Sequence, residues 1–186
     1  LVNLPVMPDY DSEQQLFAAV VNTLTEFDSI ETVSIFLNGC NDITANGSLP
    51  PQKHGKYALN VENAEIATSG SAKPLTLYFP NESGSLMIPI TRYAEGSTDL
   101  YSCIQQLAAG TELRGLRSCF PENTLVLGAV IENGILTVNL SSDFETVAND
   151  AGLLNLATQS VLLTALPYGS INEVHFAVNG IPLKID

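Results

Sequence analysis

Two stretches of this chain run in parallel, 141 positions apart, so whatever it folds into must build one kind of unit twice. Asn38-Gly39 answers to Asn179-Gly180, and the same displacement holds without a gap from Leu16/Ala157 onward. Val20/Val161, Thr23/Thr164, Ser29/Ser170, Ile30/Ile171 and Val33/Val174 are identical across it. Phe27/Tyr168, Ile35/Phe176 and Leu37/Val178 are alike in kind. Upstream, Val2-Asn3-Leu4 repeats as Val138-Asn139-Leu140, with a longer loop in the second copy. Each copy reads strand, loop, helix, turn, strand. Leu16, Val20, Thr23 and Phe27 stand at i, i+4, i+7 and i+11, which predicts one helix face on a core. Val33, Ile35 and Leu37 alternate with their neighbours, as do Val174, Phe176 and Val178, which predicts half-buried strands.

The second copy is the fuller one. Residues 75–79 and 86–93 read as strands joined through Asn81-Glu82-Ser83-Gly84, with Pro89 placing the second of them at an edge or a bulge. A helix follows through Leu100, Cys103, Ile104 and Leu107, capped by Ser97 or Thr98 and ended by Gly110. Residues 125–132 and 135–140 flank Asn133-Gly134, the signature of a type I′ hairpin. The resulting order, β-β-α-β-β-α-β, predicts an α+β domain: a mostly antiparallel sheet with two helices on one face. Nothing before Leu1 answers to residues 75–133, so the first copy is expected to be a C-terminal half. Each large side chain left wet on its helix costs about 1.5–3 kcal/mol, so cover is expected from the following segment or from another molecule. Residues 41–73, rich in Asn, Pro, Gly and Ser, read as a connector with a short strand within residues 57–66. The organisation is therefore a partial copy over 1–40, a connector over 41–73 and a complete domain over 74–186.

Composition limits function. Twenty Asp and Glu against seven Lys and Arg give a formal charge of −13, too few cations for a phosphate-binding face, so nucleic acid is excluded as a partner. No apolar run is long enough to span a bilayer. Catalytic signatures are missing: there is no HExxH, no GxSxG, no phosphate-binding glycine loop and no dinucleotide fingerprint. His54 sits with Lys53, Lys56 and Tyr57 in the connector, the one local gathering of positive charge. His175 alternates out of phase with the apolar residues of the last strand. Ser141-Ser142-Asp143-Phe144-Glu145 with Asp150 collects carboxylates without the spacing of an EF-hand, so it reads as a solvated capping loop rather than a Ca²⁺ site. Cys40, Cys103 and Cys119 form no metal spacing. Cys103 reads as a buried thiol, and a Cys103–Cys119 disulfide is the alternative for an exported chain. No catalytic, cofactor or metal residue is assigned.

The pattern resembles the GerMN family of sporulation and spore-germination proteins, whose domain usually occurs as a tandem pair. Leu75-Thr76-Leu77-Tyr78-Phe79 carries the likeness, with Leu107-Ala108-Ala109-Gly110, Gly115-Leu116, Ser118 and Pro121. It continues through Gly134-Ile135-Leu136-Thr137-Val138-Asn139-Leu140-Ser141 and from Val174 to Gly180. Thr111 stands where the family commonly has proline, and Asn139 where it commonly has aspartate. The resemblance implies an extracytoplasmic, non-enzymatic scaffold or interaction module of the cell or spore envelope, lipid-anchored as a lipoprotein in its full-length precursor. The membrane would then be met only through an anchor outside this chain. Envelope or sporulation proteins are the expected partners, with oligomerisation or strand exchange through exposed sheet edges possible. The other reading is a small-ligand or cell-wall glycan module using Tyr57, Tyr78, Tyr93, Tyr101 and Tyr168 as stacking surfaces.

Overall fold

The computed structural model describes residues 6–37, 39 and 42–183. The chain divides into two compact units between Ala58 and Leu59. The connector expected over 41–73 is thus shared out between them. The Val2-Asn3-Leu4 strand, Asn38 and Cys40 lie outside the described residues.

In the first unit, α1 (Tyr10–Leu24) starts at Asp9, whose carboxylate accepts from the Ser12 amide at 2.8 Å. Its buried residues are Glu13, Phe17, Val21 and Asn22. The face predicted from Leu16, Val20, Thr23 and Phe27 is not the core face: Leu16 is half-buried, Val20 and Thr23 are exposed, and Phe27 is 59% exposed. The covering segment decides this. Residues 44–57 lie along the Phe17–Val21 side, held at two points. Thr44 Oγ1 donates to the Glu13 carboxylate while the Ser48 amide donates to Thr44 Oγ1 at 2.9 Å. Asn22 then clamps Tyr57, accepting from its amide at 2.7 Å and donating to its carbonyl at 3.3 Å. The strand expected at 33–37 is an extended run paired with 51–54: the Val33 and His54 backbones exchange both hydrogen bonds, and the Ile35 amide reaches the Pro51 carbonyl at 2.8 Å.

The second unit is α+β, with its strands in two mixed sheets instead of a single one. β1 (Val61–Glu62) pairs parallel with β3 (Met87–Ala94), which pairs antiparallel with β2 (Lys73–Pro80), giving the order β1-β3-β2. After α2 (Leu100–Ala108) come β4 (Val126–Glu132) and β5 (Ile135–Leu140). Beyond them lie the single-turn α3 (Glu145–Ala148), then α4 (Ala151–Ala165), β6 (Glu173–Val178) and β7 (Ile181–Pro182), in a second sheet ordered β4-β5-β6-β7. β5 and β6 are parallel, as a helical crossover requires. Asn133 and Gly134 have φ of 52° and 81°, as do Asn179 and Gly180 at 49° and 80°, so two Asn-Gly turns close the β4–β5 and β6–β7 hairpins. Gly110, at φ 81°, ends α2 as expected, but its N-cap is Asp99, not Ser97 or Thr98: Asp99 accepts from the Ser102 amide. Pro89 sits in the middle strand of its sheet. β1 covers only Thr91 and Arg92, so β3 is locally an edge where Pro89 lacks its N–H.

The core joins Leu75, Leu77 and Phe79 of β2 to Ile104 and Leu107 of α2, and to Phe144 packed between the tilted rings of Phe120 and Phe176. α4 contributes Ala157 and Val161. It also seals the β2 edge: Thr164 Oγ1 accepts from the Tyr78 amide at 3.0 Å, and Ser160 Oγ donates to the Tyr78 carbonyl at 2.6 Å. The duplication reappears here in the backbone. α1 and α4 both span fifteen residues, their bounds fall 141 positions apart, and each opens on an Asp cap, Asp9 and Asp150.

Glu13 supplies a test of the first unit. Burial pushes its carboxyl up, but the donors gathered round it, Thr44 foremost, hold it below the ordinary value of 4.5. A depressed carboxyl contributes stability that is complete above the ordinary pKa and disappears as pH falls through the folded one. Acidification from pH 5 to pH 3, followed by near-ultraviolet circular dichroism of Tyr10 and Tyr57, is expected to loosen this unit first. Glu13→Gln is expected to weaken it at neutral pH and flatten that acid dependence.

Candidate functional site

Within the second unit, the polar residues that converge most tightly surround Arg92, the one basic residue inside the apolar β3. Its side chain is 8% exposed and that of Glu62, on β1, 10%. Arg92 Nε donates to Glu62 Oε2 at 2.8 Å, and Nη2 joins the same oxygen. Nη1 reaches the Gln106 carbonyl, which the end of α2 leaves without a helical partner, and Nη2 also reaches the carbonyl of Gly110 just past the helix. Glu62 Oε1 accepts from Thr111 Oγ1 and from the Glu112 amide. The carboxylate is thereby saturated, and the open groove of about 600 Å³ beside it is walled by the acidic Glu65 and Glu112. Thr111, where the family commonly has proline, supplies the hydroxyl that holds Glu62. Asn139, the other departure, accepts from the Gly180 amide at 2.8 Å, as an aspartate would. Sequence reasoning missed the Arg92–Glu62 pair. A lone arginine in an apolar strand was the available signal.

The residues singled out from sequence are divided between the two units. In the first unit His54 stacks on Tyr57, with ring centroids 5.4 Å apart and planes 19° from parallel. The pair lines a groove of about 310 Å³ with Gln14, Gln52, Pro50 and Pro51, and Lys56 pairs with Glu26 at the surface. In the second unit the Tyr101 hydroxyl donates to the Val126 carbonyl at 3.0 Å, whereas Tyr78 and Tyr93 are half-buried in their strands. Among the described residues the second unit's Tyr78, Tyr93, Tyr101 and Tyr168 form no stacked pair with one another. Among the described residues His175 pairs only with Glu173, at 3.1 Å. No Ser or Cys joins either imidazole by a hydrogen bond among the described residues, so the nucleophile–base pairing of a histidine-dependent hydrolase is not assembled there.

The acidic loop is divided among separate local duties. Asp143 accepts from Ser141 Oγ, and Asp150 accepts from the Gly152 and Leu153 amides at the start of α4. Among the described residues no three His, Cys, Asp or Glu converge as metal ligands. Cys103 and Cys119 are both buried and free, not joined as a disulfide. Burial pushes both thiols up, Cys119 to about 11, which leaves no thiolate for chemistry at neutral pH. No helix of the described residues is long and apolar enough to cross a membrane.

Two outcomes follow from this geometry. Glu62→Ala strands a buried guanidinium and is expected to lower the urea-unfolding stability of the second unit by about 3 kcal/mol. In a Cys40→Ser background, a thiol-specific chromogenic reagent is expected to find no reactive group at pH 7 until denaturant is added, and two thereafter.

The family model for sporulation and spore germination domains, Germane, matches residues 76–184. The spore germination protein GerM of Bacillus subtilis is 28% identical to this chain over 185 residues, covering 91% of it and 50% of GerM. The chain thus spans half the length of that curated relative. The solved tandem GerMN domains of the same sporulation protein superpose on 93% of the chain and 63% of their own length, with a TM-score of 0.68 at 25% identity. The first GerMN domain alone gives a TM-score of 0.48 at 23% identity, over 60% of this chain. With more than half its residues inside the family model, the chain belongs to the Germane family of sporulation and spore germination domains.

Proposed function

We propose that this chain is the folded part of an extracytoplasmic, non-enzymatic module of the cell or spore envelope that works through protein contacts during sporulation and germination. The observation that carries the reading is its similarity to the tandem GerMN domains of a sporulation protein over nearly its whole length. Histidines without a Ser or Cys hydrogen-bond partner among the described residues, and high-pKa thiols, favour the absence of catalysis. A lipid anchor outside this chain is the expected route to the membrane.

A second reading, cell-wall glycan binding, draws on the groove in which His54 stacks on Tyr57 beside Gln14 and Gln52. Aromatic faces next to amide groups suit sugar rings, which present apolar C–H faces and hydroxyls.

Fractionation of sporulating cells separates location from role. The full-length protein is expected in the membrane fraction, open to protease added outside protoplasts, and in-cell cross-linking is expected to recover envelope proteins. Protease protection together with a soluble cytoplasmic pool would overturn the envelope reading. Calorimetric binding of soluble wall fragments, lost in Tyr57→Ala, would favour the glycan reading instead.

A further inference from the structure

We draw no further inference here: the strongest candidate, the outer edge of β4 with its exposed Leu125, Leu127 and Val130, carries none because nothing among the described residues shows what covers it.

Discussion

The second unit depends on how one strand edge is closed. β2 ends its sheet, and an open edge exposes a row of unpaired amides and carbonyls that invites other chains. α4 closes it with side chains: Thr164 takes the Tyr78 amide and Ser160 satisfies the Tyr78 carbonyl, both from positions with no solvent exposure. This polar contact brings the first sheet under the same helix that crosses over between β5 and β6. Ala157 and Val161 pack around it, and two small sheets thereby share one core.

The same helix in the first unit shows how much a face depends on what lies against it. Thr23 corresponds to Thr164 and Val20 to Val161, yet both are exposed, because the described part of that unit contains no strand pair like β2–β3 for them to meet. What lies beside α1 instead is the segment over 44–57, and it selects Phe17 and Val21. Glu13 and Asn22 are the polar groups that fasten it. Duplication conserved the helix, its length and its Asp cap, while burial followed the neighbour.

Features set by local chemistry were legible in the chain. The Asn133-Gly134 hairpin turn, the glycine stop of α2 and the β-β-α-β-β-α-β order of the main domain follow from near neighbours, whereas the second Asn-Gly hairpin, closing β6 on β7, was not read as one. What escaped was non-local. Division into two sheets depends on which strands pair across tens of residues. Glu62 reads as one more acidic residue of the short connector strand until Arg92, thirty positions on, is placed over it. The cap at Asp99 was missed because Ser97 and Thr98 are equally good cap types, and only backbone geometry chooses among the three.

The Glu62 clasp has a mechanical side. The chain leaves the first unit at Ala58 and within four residues is bonded to β3: Leu59 exchanges hydrogen bonds with Thr91, and Glu62 is gripped by Arg92. A pull directed along β1 loads these bonds together in shear instead of peeling them off one at a time. A tug through the linker therefore arrives at the middle strand of a sheet by way of a two-residue strand whose Glu62 is shared among Arg92, Thr111 and the Glu112 amide.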